Sequence, residues 1–219
     1  MVHRVFCMFR LEFNAAKSVY PLMIFEVVLA GVLGMVRRPE VAALPFLVLA
    51  TFFGGTIFSI HERSHSDKLF GVLPVRRSEV VIGRYMYGLG MGLFNLALAA
   101  VAIVILWHTT ASDMTAFRFL AALSGGWLFY CLAVSISYPI YFRLDFSRAY
   151  IFTMLPFMVL VVATVFVVFK GHLSTLVDAA NYLSAHAAIM GWLALATGLV
   201  LLLISGVIAT QLYRTKELN

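Results

Sequence analysis

Tyr85 to Trp107 reads YMYGLGMGLFNLALAAVAIVILW, twenty-three residues without an Asp, Glu, Lys or Arg. A bilayer core of roughly 30 Å is crossed by about 20 apolar residues in helical form, so this run is long enough to span it. Its surroundings have the same character. Of 219 residues, 63% are hydrophobic and 12% charged, where an ordinary soluble domain is about half apolar and a quarter charged.

Five more runs flank the first: Val19 to Val36, interrupted by Glu26, then Val41 to Ile60, Phe119 to Phe142, Ala149 to Phe169 and Ala187 to Tyr213. Only the run from Val19 contains a charged residue. A backbone facing lipid must satisfy its own hydrogen bonds, and these runs lack the polar alternation of a barrel strand. The expected fold is an all-α integral membrane protein of about six spans, forming one transmembrane domain over residues 1–219.

Basic residues set the expected orientation. With the N-terminus inside, twelve Lys and Arg fall on the inner side and four (Arg37, Arg38, Arg118, Lys170) on the outer. That asymmetry places both termini in the cytoplasm. The net charge of +6 is then a topology signal, and no nucleic-acid partner is expected. Cys7 and Cys131 fall on the inner side and within a span, so no disulfide is expected. The first run is too long, and lacks the small-residue site, for a cleaved signal peptide.

Three stretches lie between or before the spans. Over residues 1–17, Val2, Val5, Phe6, Phe9, Phe13 and Ala16 recur at helical spacing, with His3, Cys7, Arg10, Asn14 and Lys17 on a more polar face. This suits a helix lying in the inner membrane interface. From Lys170 to His186, Leu173, Leu176, Val177 and Ala180 suit either a short outer helix or a surface loop. The third stretch, residues 61–84, is charged and expected to be a cytoplasmic loop. Ser66 can cap a short helix there, Gly71 can end it and Pro74 blocks its continuation, while Ser78 can cap the helix that follows. Leu69, Phe70, Val72 and Leu73 stand among charges, as a docking surface would.

Asp67-Lys68, Gly71-Val72-Leu73-Pro74-Val75, Arg77 and Val80-Val81-Ile82-Gly83-Arg84-Tyr85 resemble the ATP-binding cassette (ABC) type-2 permease family, small bacterial exporter subunits of six helices with a type V exporter-like membrane domain. The resemblance extends to the layout of interfacial helix, six spans and a cytoplasmic loop after the second. It implies a coupling helix around Glu62 to Phe70 that docks on a separate ATPase, with Leu73, Pro74 and Arg77 setting the return into the third span. Glu62, Arg63, Asp67, Lys68, Leu69, Phe70, Leu73, Pro74, Arg76 and Arg77 are the expected ATPase-coupling residues. Arg76, Arg77 and Arg84 also suit a plain role as positive-inside anchors. The resemblance further implies a second permease subunit, identical or not, and location in a bacterial cytoplasmic membrane. ATP and Mg would sit in the partner ATPase, since no G-x-x-x-x-G-K-[ST] sequence is present here.

Cargo residues are expected in the Phe- and Met-rich second and fifth runs: Phe52, Phe53, Phe58, Phe152, Met154, Phe157 and Met158. Glu26 in mid-span costs about 3 kcal/mol on insertion scales, so it should face a cavity or a partner. Asn95 is a candidate partner, and both join the expected translocation path. Peptides, antimicrobial compounds or drugs are the cargo classes the resemblance implies, with contact to membrane lipids throughout.

Other readings compete. A proton-coupled secondary transporter would use Glu26, though no inverted repeat supports it. His61-Glu62-Arg63-Ser64-His65 fits H-E-x-x-H, in which two histidines hold zinc and the glutamate is the base. Against a protease, the apolar helix does not continue past His65, and only Asp145 suggests a third ligand. A scaffold or sensor role within a larger complex is the remaining alternative. Gly88, Gly90 and Gly92, Gly54-Gly55 and Gly125-Gly126 suit close helix packing. Pro45, Pro139 and Pro156 each remove a backbone donor.

Overall fold

The computed structural model describes residues 9–14, 17, 20–36, 42–64, 77–110, 115–144, 146–154, 157–159 and 187–215. Among them the regular elements are helices: α1 Tyr20–Val36, α2 Ala43–Arg63, α3 Arg77–Thr110, α4 Ala116–Arg143, α5 Phe146–Thr153 and α6 Ala187–Thr215, with a further helical turn over residues 9–14. Among the described residues, four segments are long and apolar enough to cross a membrane: Pro45–Arg63, Arg77–Thr109, Ala116–Arg143 and Gly191–Thr215. α1 carries a shorter apolar segment, Met23–Val32. Of the run expected from Ala149 to Phe169, only α5 and residues 154 and 157–159 are described. The outer stretch from Lys170 to His186 lies outside the described residues.

The third span begins earlier than its apolar run. α3 starts at Arg77, eight residues before Tyr85. The charges of that first stretch are tolerated because they are engaged: Glu79 and Arg84 are buried. α2 likewise continues through Arg63, and Ser64 closes it with its backbone N–H and hydroxyl on the Ile60 carbonyl, at 3.0 and 2.8 Å. At the far end, Thr115 caps α4 by accepting from the Arg118 N–H.

α4 packs most extensively on α6, and α2 packs on both α3 and α4. The core is aromatic. Trp127, Tyr130, Tyr138 and Phe142 of α4, Tyr87 of α3 and Phe46 of α2 are all fully buried. Phe58 lies against Tyr138, Tyr141 and Phe142 at centroid distances of 5.1, 4.9 and 5.2 Å. Such rings need backbones that give way, and glycine supplies them. A methyl at Gly88 would lie 2.6 Å from the Tyr138 hydroxyl, and one at Gly54 2.8 Å from it. Tyr138 is therefore wedged between α2 and α3, where only glycine fits. Gly92 and Gly126 are equally tight, Gly90 only touches Phe9, and Gly125 faces open space.

Pro139 lies inside α4 and is buried. It has no N–H to give the Ser135 carbonyl one turn earlier. Ser205 of α6 supplies the missing donor, its hydroxyl reaching that carbonyl at 2.7 Å. A serine hydroxyl has one hydrogen. The 2.7 Å contact between Tyr85 and Ser205 must then be donated by the tyrosine. One chain of hydrogen bonds thus joins α3, α6 and α4 around the proline.

Candidate coupling site at one end of the bundle

The turn over residues 9–14, the end of α2 and the start of α3 meet through Glu12. This carboxylate is 1% exposed and contacts two basic side chains. Its Oε2 is 2.6 Å from His61 Nε2 on α2, and its Oε1 accepts from Arg84 Nε on α3 at 3.4 Å. A carboxylate only accepts, so His61 Nε2 carries the hydrogen. The Arg84 guanidinium lies over the ring of Phe58 at 4.7 Å and that of Phe142 at 5.2 Å, which stabilises the cation on its apolar sides. Three elements distant in sequence are joined by one buried ionic group.

Arg77, the first residue of α3, reaches the end of α6. Its Nη1 donates to the carbonyl of Arg214 at 2.8 Å and to that of Tyr213 at 3.3 Å. The last carbonyls of a helix lack intrahelical donors and carry partial negative charge, so a guanidinium there satisfies both needs. Tyr213 also stacks edge-on against Phe142, 5.3 Å away. Both residues that flank the 64–76 connection are thus near fixed points: Arg63 lies two residues after His61, and Arg77 is itself clamped.

Of the expected coupling residues, Glu62, Arg63 and Arg77 are described, with Arg63 and Arg77 exposed. Asp67, Lys68, Leu69, Phe70, Leu73, Pro74 and Arg76 lie outside the described residues, as does His65. His61 faces Glu12 through Nε2. Among the described residues no group of three His, Cys, Asp or Glu is placed to hold a metal.

The expected path residues fall into three places. Phe52, Met154 and Phe157 line a small cavity of about 180 Å³, with Thr51, Thr56 and Ser137, and the Phe52 and Phe157 rings stack at 4.9 Å. Phe53 and Phe58 are core residues, the first with Ile57, Tyr87 and Met91, the second beneath Arg84. Glu26 and Asn95 are both fully buried, yet do not bond to each other. The Asn95 amide donates to Met91 of its own helix, and neither Glu26 oxygen has a hydrogen-bond partner among the described residues.

Glu12 and Arg84 were not expected in any site. The signal for Glu12 was its position: three residues after Phe9 and four before Ala16, it interrupts the apolar stripe of the N-terminal helix.

The sequence matches the family model described as ABC-2 family transporter protein, over residues 10–214. The chain belongs to the ABC-2 transporter family. No curated protein matches it significantly. As an ABC-2 protein it is a membrane permease of an ABC transporter, and the matched range takes in nearly all of the Glu12 site as well as the helices. The ABC-2 chain therefore has its ionic node within the family's own extent, at the end of the bundle where the 64–76 connection leaves α2 and rejoins α3.

Proposed function

We propose that this chain is the membrane subunit of an ABC exporter in a bacterial cytoplasmic membrane. In this reading a separate ATPase docks on the loop between α2 and α3, and ATP and Mg bind in that partner. Family membership gives the class. The observation that supports the coupling role is the way both ends of the loop are anchored, His61 and Arg84 to Glu12, and Arg77 to the end of α6. A push on Asp67 to Arg76 would then move α2, α3, α6 and the N-terminal helix as one body, because packed interiors transmit displacement with little compression.

Cargo would travel between this chain and a second permease subunit, starting from the cavity of Phe52, Met154 and Phe157. Its apolar rings and the hydroxyls of Thr51, Thr56 and Ser137 suit an amphipathic molecule such as a peptide, antimicrobial compound or drug. The exposed apolar residues Phe25 and Val28 of α1 and Trp192 and Leu203 of α6 suit contact with lipid or that second subunit. Both termini would face the cytoplasm.

Purification from the native membrane in mild detergent tests the partner. A P-loop ATPase should co-elute with the permease, and replacing Asp67 to Arg77 should remove it. A chain that copurifies with no ATPase would overturn the exporter reading.

A further inference from the structure

One feature that transport does not use is an apolar cavity of about 430 Å³ between the turn over residues 9–14, α1 and α3. Phe9 and Phe13, Met23, and Gly90, Met91 and Phe94 line it. Its size falls in the range of small-ligand sites, about 300–1,000 Å³. Tyr87 also contributes to the walls, which are almost wholly apolar and give water too few of the two to four polar partners it needs. Phe13, Gly90 and Phe94 are exposed, which leaves the cavity open at its side towards the surrounding medium. For a bilayer protein that medium is hydrocarbon.

Charge selects the headgroup. Residues 9–17 contain Arg10, Glu12 and Lys17. Glu12 is buried against His61 and Arg84, whereas Arg10 and Lys17 are exposed. The exposed charges among the described residues of this segment are therefore both cationic. Basic residues beside an apolar insertion attract anionic lipid. We infer that the cavity holds an acyl chain of an anionic phospholipid, with Arg10 at its phosphate. This rests on no assumption about an ATPase or a cargo.

The test uses the full chain in bilayers containing phosphatidylglycerol with a diazirine midway along one acyl chain. Crosslinks should concentrate on peptides covering residues 9–14 and 87–94. Gly90→Leu, which fills the cavity from α3, should cut them at least about tenfold. Gly90→Ala, whose methyl meets Phe9 at 3.6 Å, should cut them partially and keeps the test intact if the larger side chain impairs folding. Gly31→Leu, with nothing within 4 Å of the added carbon, should leave labelling unchanged. Arg10→Gln should lower the preference for phosphatidylglycerol over phosphatidylcholine by about fivefold, the share of one basic side chain at an anionic surface. Crosslinks no denser here than along the exposed α6 face, or unaffected by filling Gly90, would overturn the site. Equal labelling by the phosphatidylcholine probe would overturn the anionic assignment.

Discussion

Glu12 and His61 are 49 positions apart in the chain and 2.6 Å apart in space, both buried. With Arg84 they form a polar node whose burial weakens screening by bulk solvent. A buried charge is tolerated only with partners, so each member depends on the others.

Glu12→Ala leaves Arg84 buried without its carboxylate and should cost about 3–5 kcal/mol. Thermal unfolding of the purified permease in detergent would register this as a large drop in Tm. Replacing Arg84 by Met in addition should add much less than its own single effect. Additive losses would show that the two side chains act separately.

Arg77→Gln removes a charged donor from two α6 carbonyls. The loss should be about 1.5–3 kcal/mol, as for other hydrogen bonds to charged groups. If the loop transmits motion, the larger effect is functional. The variant should hydrolyse ATP in complex but export less cargo per ATP. Unchanged stoichiometry would remove Arg77 from the coupling route.

Gly88→Ala brings a methyl to 2.6 Å from the Tyr138 hydroxyl. Overpacking of this kind costs about 1–3 kcal/mol. Tyr138→Phe removes the clashing oxygen and gives up only a long 3.5 Å hydrogen bond to Gly54. The double variant should therefore unfold at a higher temperature than Gly88→Ala alone.

Ser205→Ala strands the Ser135 carbonyl that Pro139 cannot serve. A buried acceptor left unpaired costs about 1–3 kcal/mol. Pro139→Ala restores a donor within α4, so the pair of changes should recover most of the loss. No recovery would mean that Ser205 acts mainly through Tyr85.

The four long helices of α2, α3, α4 and α6 could be read from sequence because an uncharged run of twenty residues has few alternatives to a membrane helix. The start of α3 at Arg77 lies beside the Ser78 cap that the sequence offered, whereas the burial of Glu79 and Arg84 was not legible, because charges look solvated until their surroundings are known. Gly88 and Gly92 announced close packing, but not that Tyr138 and Tyr130 would fill it, since side-chain partners across helices leave no local pattern. Pro139 marked a missing donor, while the remedy sat 66 positions later at Ser205. His61 drew attention through H-E-x-x-H, a spacing that here coincides with a hydrogen bond to Glu12. Glu12 itself was visible as an acid on an apolar stripe, a local conflict that only a buried partner resolves.

The most direct test is to purify the permease from its native membrane, intact and with Asp67 to Arg77 replaced, and measure ATPase activity in each. The account predicts a stoichiometric P-loop ATPase bound to the intact chain and lost from the replaced one, with the membrane fold of both preserved. An ATPase that stays bound to the replaced chain, or is absent from both, would contradict the docking of a motor on this loop.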